Sequence, residues 1–169
     1  TDLDGAGFES TYSCLSGFFA FDIGASLVDD LIIHARLAST SIVDPNVELD
    51  GADLGQTERL SIGTSLLGLG VSYYFMPLNL YVGATVGVSW VAFAYTVDID
   101  GDGEDDTYSS DAGFGLHLDV GKEWWVGDDW GLGIALRGTF ATVDPGDDWV
   151  GDRSLVTTGL GLLFSATYQ

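Results

Sequence analysis

Two histidines and a small set of charged residues are the positions from which this chain could do chemistry. His117 and Asp119 stand two apart, as do His34 and Arg36. Alternate residues of an extended strand share a face, so each pair would project to one side. A histidine with a carboxylate partner is the core of acid–base catalysis, and a nucleophile beside it would extend this to acyl transfer. No serine or cysteine is clearly marked beside either histidine. The competing reading is structural. By strand parity Asp22, His34, Arg36, His117, Asp119, Glu123 and Arg137 all fall on the face of small residues, and these include the three acids that lie inside strands. An unpaired buried charge costs several kcal/mol, so the seven are expected to pair across an enclosed interior and plug it.

A second candidate is the acidic run "DIDGDGEDD". Asp98, Asp100, Asp102, Gly103 and Asp106 occupy positions 1, 3, 5, 6 and 9 of a calcium-loop pattern. Alternate carboxylates converge on a hard cation where glycine permits a sharp turn. Position 12 is Ser109 in place of the bidentate glutamate, so the expectation is weak Ca²⁺ binding, with a hydrated hairpin tip as the alternative. Trp149, in "DPGDDWVGD", is a candidate for contact with a partner. Cys14 is the only cysteine, which excludes an internal disulfide framework and a cysteine metal cluster. The recurrent G-x-G steps, as in "GLGVSYYF" and "GLGIAL", are not followed by any helical pattern, so they do not form a dinucleotide fingerprint. Inner-face glycine instead makes room for large neighbours in a narrow interior.

Seven segments could position these residues: about 15–27, 31–43, 58–75, 79–95, 110–126, 130–143 and 154–168. Each shows period-two alternation, and helical periodicity is absent throughout. The connections alternate between short turns ("VDD", "MPLN", "GDD") and long acidic stretches near 44–57, 96–109 and 144–153. The 169 residues fit one domain, with 46% hydrophobic content, 18% charged residues and a net charge of −21. Such a charge argues against nucleic acid as a partner. No apolar run approaches the length of a membrane-spanning helix, so a membrane would be crossed by strands.

The two faces differ. In 130–143, Trp130, Leu132, Ile134, Leu136 and Phe140 oppose Gly131, Gly133, Ala135, Arg137 and Thr139. A soluble barrel or sandwich would bury the greasy face and wet the small one, but the small face makes a poor surface and the greasy one a hazardous one. The greasy faces run for about the 9–11 residues of a tilted spanning strand. Tyr73, Phe75, Trp124, Trp130 and Tyr168 gather towards the short-turn ends as an aromatic girdle would, and Trp90 and Phe140 suit an outer girdle. In 58–75 the alternation slips near Leu66 and Leu67, which predicts a β-bulge. The expected fold is an all-β, antiparallel up-and-down transmembrane β-barrel.

The stretch "GKEWWVGDDWGLGIALRG" (121–138) resembles the penultimate hairpin of small bacterial outer-membrane barrels of the opacity, OmpX and OmpA transmembrane-domain type. The strands from Leu66 to Tyr95 and the closing "GLGLLFSATY" extend the likeness. The resemblance implies eight strands, integral placement in a Gram-negative outer membrane among lipid and lipopolysaccharide, and extracellular loops. The resemblance specifies an architecture and not an activity; the expected function, carried by the loops, is non-enzymatic: display of acidic loops for envelope structure, adhesion or docking of a protein partner. The alternatives are a barrel enzyme acting on lipid or peptide through His34, His117 and Asp119, or a narrow channel. Only seven strands are visible in the sequence. An antiparallel eighth is expected from sequence upstream of Thr1 or from a separate polypeptide, with residues 1–14 as the rival source.

Overall fold

The structure is a computed structural model that describes residues 10–13, 16–43, 46–49, 52–56, 60–95, 106–144 and 154–168. Its elements are all strands: β1 (Ser10–Ser13), β2 (Ser16–Val28), β3 (Leu31–Val43), β4 (Asn46–Leu49), β5 (Ala52–Gln56), β6 (Leu60–Phe75), β7 (Leu80–Tyr95), β8 (Asp106–Ser109), β9 (Gly113–Trp125), β10 (Trp130–Val143) and β11 (Leu155–Tyr168). The seven long strands coincide with the seven alternating segments. The four short ones have no counterpart in the alternation. Stretches read as loops therefore contain β4 and β5 in one long connection and β8 in another, because backbone pairing outlasts the side-chain pattern there.

The long strands form an antiparallel, up-and-down, curled sheet in the order β11-β10-β9-β7-β6-β3-β2, with β8 added beside β7. A separate three-stranded sheet, β1-β4-β5, joins the segment before β2 to the β3–β6 connection. Tight turns link the strands at one end and long connections at the other. Asp30 and Asn79 sit in two of the tight turns with φ of 67° and 51°, a conformation that Asp and Asn tolerate better than other side-chain-bearing residues. Both turns are anchored to a neighbouring strand: the Tyr74 N–H donates to the Asp30 carbonyl at 2.8 Å, and the Glu123 N–H to the Asn79 carbonyl at 2.9 Å.

Alternation holds along the long strands apart from the Ser26–Val28 end of β2, and one face of the sheet is exposed and apolar. Phe164 is 84% exposed, and Phe21, Leu69, Leu118 and Leu132 also stand exposed. The other face holds the buried charges. The bulge expected at Leu66 and Leu67 is absent. β6 pairs without interruption from Leu60 to Phe75 against β7, and it is equally regular against β3. The register shift that exists is in β2, between Ser26 and Val28.

The apparent slip is instead a change of chemistry at constant geometry. Near the tight turns, β6 turns Leu67, Leu69 and Val71 outward and Gly68, Gly70 and Ser72 inward. Near the long connections it turns Ser61, Gly63 and Ser65 outward and Leu60, Ile62 and Leu66 inward. Leu60, Ile62, Val91, Phe93 and Val143 form a buried apolar cluster at that end, with Ile42 and Leu155 packed against it. On the outward face there, Ser39 lies opposite Ser65.

β2 and β11 are the two edges and do not pair with each other. Phe18 of β2 nonetheless lies over β11, where its ring fills the space that a Cβ on Gly161 would take and lies beside Gly159. The sheet therefore curls far enough to bring its edges within side-chain reach.

Two adjacent leucines separate the inverted faces from a bulge. Leu66 is 2% exposed and Leu67 56%. Leu66→Ala is expected to cost about 2–5 kcal/mol through the cavity it leaves. Leu67→Ala should stay near the roughly 0.5 kcal/mol of a surface change. Equilibrium unfolding in urea would read both, and equal losses would contradict the inversion.

Candidate functional site: the charged interior

The ladder register puts the charges in pairs before any side chain turns. Arg36 on β3 stands directly opposite Asp22 on β2, and Arg137 on β10 directly opposite Asp119 on β9. All four project from the inward face. Arg36 forks onto Asp22, with Nε and Nη2 donating to Oδ1 and Oδ2 at 2.7 Å each. Its remaining Nη1 donates to Asp119 Oδ2 at 2.5 Å. Asp119 Oδ1 accepts from Arg137 Nε at 2.5 Å. The result is an alternating chain, Asp22–Arg36–Asp119–Arg137, of zero net charge. Arg36, Asp119 and Arg137 are 3–5% exposed, and Asp22, on the edge strand, is more open.

Arg36 and Asp119 lie on strands separated by β6 and β7, so their contact crosses the concave face of the sheet. It can do so because the intervening inward positions are small: Gly68 and Gly70 on β6, and Gly83 and Gly87 on β7. Gly83 is the register partner of Asp119, and Gly68 that of Arg36. A Cβ on Gly70 would come within 2.5 Å of both His34 Nε2 and Thr85 Oγ1, closer than atoms in contact can approach. On β9, Gly121 makes room in the same way for the ring of Tyr81.

The other three residues expected in an ion-pair network do not join it. Glu123 lies farther toward the tight turns and accepts from two hydroxyls, Tyr74 at 3.2 Å and Thr167 at 2.8 Å. His34 Nε2 is 3.0 Å from Thr85 Oγ1. His117 Nδ1 has no hydrogen-bond partner among the described residues, and the same holds for Arg137 Nη1 and Ser165 Oγ. The correction has a simple cause. Parity determines which face a residue shares but not its height along the strand, and both arginines are taken up at the level of Asp119. The partners that sequence reasoning missed, Tyr74, Thr85 and Thr167, are hydroxyl residues on the inward face. The parity that selected the charges would have found them too.

Chemically, the four charges neutralise one another, while Arg137 Nη1 and His117 Nδ1 are left without partners among the described residues. Among the described residues neither histidine is hydrogen-bonded to a carboxylate, and the hydroxyl nearest His34 belongs to Thr85, which is 0% exposed. Asp119, the carboxylate beside His117 in sequence, is committed to two guanidinium groups. The acidic positions Asp98, Asp100 and Asp102, and Trp149, lie outside the described residues. Asp106 is described only as the first residue of β8. No group of three or more His, Cys, Asp or Glu among the described residues could hold a metal ion.

Asp119 is the member whose loss should cost most, because Asp119→Ala leaves two buried guanidinium groups with unpaired donors. The expected loss is about 3–5 kcal/mol in equilibrium unfolding. Glu123→Gln keeps an acceptor for both hydroxyls and should cost about 1 kcal/mol. The reverse ranking would place the structural centre of the interior at Glu123. Comparison with protein-family models, with curated proteins and with solved structures finds no match to this chain.

Proposed function

We propose that this chain is the membrane-embedded part of a non-enzymatic outer-membrane β-barrel of a Gram-negative bacterium, which holds acidic loops at the cell surface for envelope structure, adhesion or docking of a protein partner. One observation carries the reading: the sheet exposes its large apolar residues and buries its charges. In water that arrangement is inside out. Against lipid tails it is the favourable one, since hydrocarbon solvates leucine and phenylalanine but not an ion pair.

Further features fit the same frame. The exposed apolar positions run from Leu80 to Val88 on β7, Phe114 to Trp124 on β9 and Trp130 to Phe140 on β10, near the length of a tilted spanning strand. Tyr73 and Phe75 meet edge to face with centroids 5.1 Å apart, as do Trp130 and Tyr168 at 5.3 Å. They gather at the tight-turn end, where an interfacial girdle belongs. Lys122 lies on the outward face at that level. Its Nζ donates to the Leu78 carbonyl and sits 5.6 Å from the Trp124 ring centre, so the charge bends toward the turn and away from the apolar belt. Toward the long connections, the serines facing outward and the apolar cluster facing inward are the order expected above a bilayer, where water returns to the outside.

A channel is the alternative that the interior speaks against. The four-charge chain crosses it at mid-height, and the Leu60–Phe93 cluster fills it near the long connections. A barrel enzyme would need a nucleophile accessible beside His34 or His117, and the buried pairing of His34 with Thr85 offers no such access.

The decisive experiment is reconstitution. The protein should float with liposomes, resist extraction by alkaline carbonate, and show quenching of Trp124 and Trp130 fluorescence by brominated lipids, with no steady single-channel conductance. A chain that stays monodisperse in plain buffer without detergent would overturn the reading.

Weak calcium binding by the loop from Asp98 to Asp106 belongs to the same proposal, since a cation there would screen clustered carboxylates facing lipopolysaccharide phosphates. Titration calorimetry with millimolar Ca²⁺ should show heat that Asp100→Asn reduces. No heat would remove calcium from it.

A further inference from the structure

We infer that the interior binds one small monovalent cation, of the Na⁺ or K⁺ class, at Glu123, among oxygens drawn from β6, β9 and β11. The inference goes beyond the membrane reading and does not depend on it. It needs only that Glu123 is buried on the concave face of the curled sheet.

Charge comes first. Glu123 is 3% exposed and forms no salt bridge with any described residue. The chain Asp22–Arg36–Asp119–Arg137 is neutral by itself, so it has no positive charge left for a further carboxylate. The sequence holds five Lys and Arg residues. Arg36 and Arg137 belong to that chain, and Lys122 turns outward to the Leu78 carbonyl. Arg59 and Arg153 lie outside the described residues and adjoin, in sequence, the long-connection ends of β6 and β11, away from Glu123. His117 stands six residues from Glu123, about 20 Å along the strand, and His34 shares the register row of His117. A buried carboxylate without a counter-ion is strongly unfavourable, and the two hydroxyls that donate to Glu123 bring it no positive charge.

Geometry supplies the donors. Glu123 stands opposite Gly133 on β10, and Gly133 opposite Ser165 on β11. Gly133 has no side chain, so its two neighbours lean over it: a Cβ there would come within 2.6 Å of Ser165 Oγ and 3.0 Å of Glu123 Cγ. Ser165 Oγ is buried and has no hydrogen-bond partner among the described residues. Thr167, next on the inward face of β11, donates to Glu123 Oε1 at 2.8 Å, and Tyr74 of β6 donates to Oε2 at 3.2 Å. Each of these two hydroxyls gives its one hydrogen to the carboxylate and keeps its oxygen lone pairs. Glu123, Ser165, Thr167 and Tyr74 therefore present oxygen donors around a single negative charge.

The donor set selects the ligand. Oxygens suit hard cations, whereas transition metals favour the thiolate and imidazole ligands that are absent among the described residues around Glu123. One positive charge balances one carboxylate, so a monovalent ion leaves the interior neutral and a divalent one would leave a buried excess. The burial of Glu123 admits a bare ion but not the four-carbon stem of a lysine from another protein. The rings of Tyr74 and Tyr81 pack together beside the carboxylate with centroids 5.3 Å apart, and the faces of such rings favour a cation over an anion.

The test uses the full-length protein in detergent, unfolded in urea at constant ionic strength while Na⁺ replaces tetramethylammonium. Once Na⁺ exceeds the dissociation constant, one bound ion raises the folded-to-unfolded ratio about tenfold for each tenfold increase in Na⁺. Glu123→Gln should abolish this dependence, and Ser165→Ala should move it to several-fold higher Na⁺. Asp29→Asn, at an exposed acid in a tight turn, should leave it unchanged. No Na⁺ dependence, or one that survives in Glu123→Gln, overturns the inference, since the ion would then act on surface carboxylates or not at all.

The rival to a bound cation is a bound proton, and infrared spectroscopy separates the two. With Na⁺ present at neutral pH, the difference between the wild-type protein and Glu123→Gln should contain carboxylate stretches. A carbonyl stretch of a neutral acid in that difference would overturn the inference. Should Glu123→Gln fail to fold, broadening of the Na⁺ nuclear resonance by the wild-type protein carries the decision. Excess K⁺ should reverse the broadening and Ser165→Ala should weaken it, and the absence of broadening would overturn the site. Flotation with liposomes bears on the membrane reading alone, so the two can fail separately.

Discussion

Asp119 is the group on which the interior depends. One carboxylate accepts from Arg36 and from Arg137, and so ties strands at opposite sides of the curled sheet. Arg137 reaches it across a single ladder step. Arg36 reaches it only across β6 and β7, whose inward positions between them are mostly glycine. Those glycines keep the inward positions between the two strands small. A side chain at Gly70 would collide with His34 and Thr85, and one at Gly83 would approach Ser72 Oγ to 2.9 Å. The small face seen in the sequence is therefore a floor kept clear for long charged side chains. The alternating order of the charges lets each buried ion be neutralised by the next, as low-dielectric burial requires.

The second organising feature is that one alternation serves two environments. β6 and β7 keep their inward and outward phase from end to end, but the apolar residues change sides along them. Toward the tight turns they face out, and toward the long connections they face in. The Leu60, Ile62, Val91, Phe93 and Val143 cluster is an ordinary hydrophobic core, sealed from water by the sheet around it. The lower half has the opposite polarity. A strand that passes from one environment to the other must exchange its faces at the boundary, and in β6 that boundary falls between Leu66 and Leu67.

Curling without closing completes the picture. Phe18 over Gly159 and Gly161 brings the edges within side-chain reach while leaving their backbone groups unpaired with each other. Aromatic bulk there fills space that Gly161 vacates, so the interior is continuous across the gap even though the hydrogen-bond ladder is not.

Much of this was legible in the sequence. Period-two alternation marked seven strands to within a few residues, because the side-chain period of a strand is a local property of the extended backbone. Parity selected every buried charge, since alternation alone decides the face. That Asp22 stands opposite Arg36 and Asp119 opposite Arg137 came from the ladder register, not from the pattern. Tertiary structure alone decided what depends on height and curvature. It determined that Arg36 crosses to Asp119 while Glu123 is left to Tyr74 and Thr167, and that His34 meets Thr85. It also turned an apparent slip at Leu66 and Leu67 into a reversal of environment. A one-dimensional pattern records which way a side chain points. Which groups meet is settled by the stagger of the strands and the curl of the sheet, and these are properties of all seven strands together.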